Sequence, residues 1–176
     1  MLENLSGDIA RLRETRARPF PFFLIEAMLF DNGFQAVFLH RLAHFFKARR
    51  IPFFGPFFGR LSQFLTGVEI APGAVIGPGL LISHGHGLVI GQWSRLGAQN
   101  TLMHQVTLGA PGPGRLDEMP TLGDRVFVGT GAKLIGKIEI GDDVFIGANA
   151  VVGQDIPPGH RVLVQNELKI QKRNAS

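Results

Sequence analysis

One spacing governs most of this chain: an aliphatic residue returns every six positions. Ile70, Ile76 and Ile82 are six apart, and Ile90, Leu96, Leu102 and Leu108 repeat the interval. Leu122, Val128, Leu134, Ile140, Ile146 and Val152 carry it on without a slip. Gly follows the aliphatic at positions 77, 91, 97, 109, 123, 129, 141, 147 and 153. A period of six matches neither the 3.6-residue helix nor the alternation of an ordinary strand. It matches a triangular coil whose sides are short strands, each pointing one aliphatic inward. Gly, Asn and Asp suit the corners because they tolerate positive φ. Three hexads close one turn, and stacked turns align like residues into interior ladders. The expected fold is therefore mainly β: a left-handed parallel β-helix of hexapeptide repeats over 67–157. An N-terminal α-helical cap over 1–66 precedes it, and a C-terminal tail over 158–176 follows.

The phase breaks twice. Between Ile82 and Ile90 the spacing is eight, so two residues are inserted within Ser83-His84-Gly85-His86-Gly87. Between Leu108 and Leu122 it is 14, across a stretch crowded with Gly and Pro and lacking the interior pattern. That stretch is expected to form a protruding loop, 109–121. Insertions in a solenoid sit on its surface and carry function.

The first 66 residues read differently. Phe34, Val37, Phe38, Leu42 and Phe45 form one stripe of a helix from Gly33 to Lys47, and Pro52 and Gly55-Pro56 break the chain before a second helix, about Phe57 to Leu65. Two roles stand open for these Phe-rich segments. They cap the open end of the β-helix and pack between subunits, or, with Lys47, Arg49 and Arg50, they touch a membrane surface. His40 and His44 have the spacing of a metal pair but no third ligand, so a structural role is expected and no metal.

Composition excludes several classes. With 176 residues, 45% of them hydrophobic and 18% charged, the chain is an ordered domain. It has no cysteine, so disulfides, thiolate nucleophiles and thiolate metal sites are excluded. No signal peptide is visible, and no uninterrupted apolar run reaches the roughly 18 residues of a membrane span. A cytoplasmic protein is expected, free or peripheral to the inner face of the membrane. The net charge of +4 suits an anionic ligand such as a nucleotide. Nucleic acid is not an expected partner.

The histidines of the first phase break meet one on the next coil. Ile82 and Leu102 occupy equivalent rungs 20 residues apart, and His84 plus 20 is His104. His86 reaches the same partner if the insertion precedes it. At least one of the two should stand a strand spacing, about 5 Å, from His104. Histidine accepts a hydroxyl proton near neutral pH, given a group that fixes its tautomer. Glu69 is the nearest upstream carboxylate.

These motifs resemble the serine acetyltransferase family. The resemblance runs through 67-GVEIAPGA-74, 83-SHGHGLVIG-91, 104-HQVTLG-109, 129-GTGAK-133 and 147-GANAVV-152, with 40-HRLAH-44 and 61-LSQFLTG-67 in the front. It implies an acetyl-CoA-dependent O-acetyltransferase in which His84 is the catalytic base and Glu69 its acidic partner, with His104, His86 and Gly109 in support. Main-chain N–H groups near Gly109 or Ala110 would hold the oxyanion. Coenzyme A would lie between neighbouring β-helices of a homotrimer, or of a dimer of trimers, along Gly131, Ala132, Lys133 and Ala148. Lys169 would meet nucleotide phosphate.

Three positions depart from the family. Ser83 stands where an Asp precedes the base, Glu118-Met119-Pro120 where Arg-His-Pro closes the loop, and Ala71 where the first coil has His. Those family residues grip serine's amino and carboxylate groups. The colanic-acid-type exopolysaccharide acetyltransferases also lack that set, and share the hexapeptide body and a short front. The acceptor site, with Ser83, Glu118 and Met119, is therefore expected to take a sugar hydroxyl of a glycan precursor. L-serine is the alternative, and a non-catalytic β-helix scaffold is the rival from another class.

Overall fold

The computed structural model describes residues 2–15, 19 and 21–165. Four helices come first: α1 Leu2–Glu14, α2 Phe22–Phe30, α3 Asn32–Ala48 and α4 Phe54–Thr66. Fourteen two- and three-residue strands follow, wound into three parallel sheets. Sheet A takes β1 (Glu69–Ile70), β4 (Val89–Ile90), β7 (Thr107–Gly109), β10 (Lys133–Ile135) and β13 (Val151–Val152). Sheet B takes β2 (Val75–Ile76), β5 (Arg95–Leu96), β8 (Thr121–Leu122) and β11 (Glu139–Ile140). Sheet C takes β3 (Leu81–Ser83), β6 (Thr101–Met103), β9 (Phe127–Val128), β12 (Phe145–Ile146) and β14 (Arg161–Val162). This is the left-handed parallel β-helix with a helical cap.

The six-residue pattern becomes three interior ladders. Ile70, Ile90, Leu108, Leu134 and Val152 stack in sheet A. Ile76, Leu96, Leu122 and Ile140 stack in sheet B, and Ile82, Leu102, Val128, Ile146 and Val162 in sheet C. All but the partly buried Val162 are buried in one core. Each such side chain contributes roughly 1.5–3 kcal/mol relative to exposure. A buried polar residue joins the aliphatics without leaving bonds unmade. Asn100 donates to Gly97 O at 3.1 Å and Gly123 O at 3.0 Å, and accepts from Val126 N at 2.7 Å.

The helices differ from expectation at their ends. α3 starts at Asn32, because Asp31 caps it by accepting from Phe34 N at 3.0 Å. α4 starts at Phe54 rather than Phe57 and stops at Gly67, whose φ of 69° ends the helix in a left-handed turn. The coil continues past 157, since β14 pairs with β12. The protruding loop spans 110–120, because Gly109 and Thr121 belong to β7 and β8.

One buried cluster fixes the cap to the first coil. Arg41 of α3 donates to Asp8 of α1 at 2.9 and 3.0 Å and to the carbonyls of Ile76 and Gly77. Asp8 in turn accepts from Gly79 N and Leu80 N. Beside it, His40 is buried with neither ring nitrogen hydrogen-bonded, and burial lowers its pKa to about 3. His44 Nδ1–H donates to Pro72 O at 3.0 Å. Among the described residues no three His, Asp or Glu side chains form a metal-holding group. No single described helix is long and apolar enough to cross a membrane.

Candidate active site

The candidate residues collect on two edges of the triangular prism. The edge where sheet C turns into sheet A carries the histidines. Ser83 pairs with Met103 across β3 and β6, so His84 stands directly on His104. Their rings meet edge to face, with centroids 6.4 Å apart. His84 holds φ at 56°, an uncommon left-handed setting for a non-glycine residue, and its side chain is exposed. The insertion is possible because Gly85 turns inward: a Cβ there would come within 2.7 Å of both Ile82 and Val68 side chains. His104 is half-buried, and its Nδ1 is enclosed without a hydrogen-bond partner. His86 packs instead against Gly67, where a Cβ would lie 2.3 Å from its Nδ1. Of the two registers open in the sequence, the structure takes the one that places His84 over His104.

Glu69 opens β1 at the start of sheet A, beside this edge. Its carboxylate is exposed and accepts from Gln63 Nε2 of α4 at 2.9 Å; it makes no hydrogen bond to His84. Ser83 and His84 border a cavity of about 400 Å³ closed on the other side by Leu12, Thr15, Phe30, Asp31 and Asn32. The helical side of this cavity was not legible in the hexad pattern. Its only sequence signal is Asp31-Asn32, a helix start, pressed onto the coil because Gly33 leaves no Cβ to meet Ile82 O.

Higher on the same edge lie Gly131, Ala132, Lys133 and Ala148. Gly131 has φ of 72°, and a Cβ there would meet Asn149 Oδ1 at 2.2 Å. Ala132 is buried in the core and Ala148 is exposed. Lys133 Nζ donates to the carbonyls of Gln105 and Gly131. Gly129, Gly131, Gly147 and Ala148 give this edge four positions with no side chain beyond a methyl. Lys169 is outside the described residues.

The loop emerges on another edge, where sheet A turns into sheet B. Within one chain, the structure therefore does not bring Glu118 and Met119 to Ser83 and His84. Glu118 is ion-paired with Arg115, whose guanidinium holds its carboxyl below the usual range. Met119 packs its sulfur over Gly91, 2.4 Å from where a Cβ would lie, and accepts from Trp93 N at 3.2 Å. Gly109 ends β7 at the loop's root, and the N–H of Ala110 beside it has no acceptor within the described residues.

A histidine on a corner insertion, a narrow edge above it and a loop thrown from a hexapeptide coil define a class, the acyl-CoA-dependent O-acetyltransferases whose cosubstrate is acetyl-CoA. The family described as "Bacterial transferase hexapeptide (six repeats)" matches residues 119–154. The serine acetyltransferase of Helicobacter pylori is 49% identical over 134 residues, covering 76% of this chain and 78% of that one. That of Mycobacterium tuberculosis is 42% identical over 158 residues, covering 90% and 68%. The chain belongs to the serine acetyltransferase family. Among solved structures, Neisseria gonorrhoeae serine acetyltransferase in complex with serine superposes with a TM-score of 0.81 at 30% identity, over 93% of this chain and 66% of that one. The Brucella abortus enzyme in complex with coenzyme A gives 0.79 at 31%, over 88% and 61%. This chain thus spans somewhat under two thirds of the length of those solved relatives.

Proposed function

We propose that this chain transfers the acetyl group of acetyl-CoA to the hydroxyl of L-serine, giving O-acetylserine and free coenzyme A. The observation that carries this reading is His84, exposed over His104 at the mouth of the cavity, in a chain 49% identical to a serine acetyltransferase. His84 takes the hydroxyl proton as the oxygen attacks the thioester carbonyl. The C–S bond then breaks, and the sulfur leaves with the proton from the imidazolium. Glu69, beside the same edge, favours that cation by its charge. Main-chain N–H groups near Gly109 or Ala110, at the loop root of a neighbouring copy, hold the oxyanion. The coenzyme lies along Gly131, Ala132, Lys133 and Ala148 between copies of a homotrimer, with Lys169 toward its phosphates, and the enzyme works in the cytoplasm. The domain limits proposed for this layout are a helical region to residue 66 and a catalytic coil from residue 67.

A second reading rests on a specific observation. Glu118 is engaged with Arg115, Met119 is packed under Trp93, and Ser83 is uncharged, so none of the three offers a charge to serine's zwitterion. A neutral sugar hydroxyl suits such a site better, because a site matched to one polarity rejects the other. Thiol release from acetyl-CoA with L-serine and a panel of sugars separates the two. A kcat/KM for L-serine at least about tenfold above every sugar supports the first reading; the reverse order replaces it with the second. No turnover with any hydroxyl and no coenzyme binding would make the chain a scaffold.

A further inference from the structure

Helix α4 is amphipathic the wrong way round for a buried helix. It turns Gly55, Ser62 and Thr66 inward, with Gly59 against Pro72, and its large residues outward. Phe53 is 83% exposed, Phe57 58%, Phe64 84% and Leu65 58%. Phe57, Arg60 and Phe64 follow one another at i, i+3 and i+7 on one stripe of α4, and Phe53 stands just before the helix begins. The small inward residues let the helix lie close on α3 and the first coil, so packing does not require the side chains of Phe53, Phe57 and Phe64. Apolar patches of this kind mark interaction surfaces.

The tip of the α3–α4 hairpin is built to present its aromatics. Arg50 and Phe53 both have positive φ, 56° and 69°, an uncommon and costly setting for bulky residues. The strained turn is held by Phe46, stacked on Phe54 at 5.0 Å and on Phe58 at 5.6 Å. Held so, Phe53 stands in solvent.

Charge selects the occupant. Between Asp31 and Glu69 the chain has no acidic residue. Lys47, Arg49, Arg50 and Arg60 in that stretch are exposed, and none is ion-paired among the described residues. Lys47 and Arg50 line a cavity of about 390 Å³ at the base of Phe53, with Pro72 and Gln92 opposite. Aromatics projecting beyond a ring of unpaired cations, with a cationic recess beneath, match an anionic bilayer surface: acyl boundary outside, headgroup phosphate behind it. A protein partner or second copy would need carboxylates facing four cations, and an anionic membrane supplies negative charge throughout.

We propose that the α3–α4 hairpin docks this protein on anionic lipid bilayers. Phe53, Phe54 and Phe57 enter the acyl boundary, and Lys47, Arg49, Arg50 and Arg60 meet the headgroup phosphates. The inference does not depend on the acceptor. The test is co-sedimentation of the full chain with phosphatidylcholine vesicles, with and without phosphatidylglycerol, alongside light scattering for mass. The wild type sediments with the phosphatidylglycerol vesicles and is released from them as salt is raised. Lys47→Gln/Arg50→Gln lowers the partition roughly 30-fold, about fivefold for each charge lost near the surface. Phe53→Ser/Phe57→Ser abolishes binding while thiol release from acetyl-CoA in free solution is unchanged, which shows that the fold is intact. A wild type that stays in the supernatant with both vesicles overturns the proposal. So does a Phe53→Ser/Phe57→Ser variant that keeps vesicle binding but falls in mass, since a second copy of the chain would then own this face.

Discussion

His84 is where it is because a two-residue insertion lifts one corner out of the hexad and Gly85 folds inward beneath it. The imidazole is thereby freed from the interior ladder and set on the ring of His104. As general base it should supply at least about a hundredfold in rate, so His84→Ala lowers kcat by that factor or more. Steady-state thiol release checks it, and near-normal turnover would move the base to His104 or His86. A second histidine acts only on stability. His40 is neutral in its buried site with a pKa lowered to about 3 by burial, Arg41 and His44. In the unfolded chain it titrates near 6.5, so the unfolded state binds the extra proton below that pH. Folding stability is complete above 6.5 and falls as pH drops, by about 2 kcal/mol on reaching pH 5. Urea melts at pH 7 and 5 should show that loss in the wild type and a smaller one in His40→Leu. The proximity of His84 and His104 followed from arithmetic on the repeat. The burial of His40 was less legible, since it lies off the Phe stripe of α3, and the helix turns Gly33, Ala36, Val37, His40 and Ala43 inward instead of Phe38, Leu42 and Phe45.

At the scale of elements, the coil was legible and the cap only in outline. Thirteen aliphatics from Ile70 to Val152 predicted thirteen interior rungs, and each is one. A strict period leaves no freedom, because slipping one residue would expose the whole ladder. Helix ends depend instead on single contacts. Asp31 draws α3 back to Asn32 by capping it, and α4 begins at Phe54 on the strained turn at Phe53. The inverted face of α4 ran against the rule that Phe stripes seek a core. What ties these helices to the coil is the Asp8–Arg41 cluster, a link between residues 33 positions apart that no local pattern announces. Removing one partner leaves the other charge buried and unpaired, at a cost of about 3–5 kcal/mol. Asp8→Ala should therefore lower the urea midpoint by that equivalent, whereas Asp117→Ala, in the exposed loop, should change it little. Equal losses in the two variants would deny the cluster its role.

At the scale of the whole molecule, the two phase breaks lie on different edges of one prism. The histidine corner and the root of the loop are separated by the width of sheet A, about five residues or roughly 16 Å. In the structure the loop stays on its own edge, held where Met119 packs over Gly91 and accepts from Trp93 N, rather than reaching across that face to its own His84. In the homotrimer proposed above, the histidine edge of one copy would face the loop edge of the next, and each site would draw on two chains. This arrangement predicts complementation. A His84→Ala chain keeps an intact loop, and a chain with residues 110–120 replaced by a short Gly-Ser link keeps its histidine. Each homogeneous assembly should be nearly inactive. After joint unfolding and refolding in equal amounts, about a quarter of the sites should combine a sound base with a sound loop, if the closed ring is filled at random. Thiol release should then recover to about a quarter of the wild-type rate per site. A mixture no more active than its two components would place the whole site within one chain and refute the shared edge.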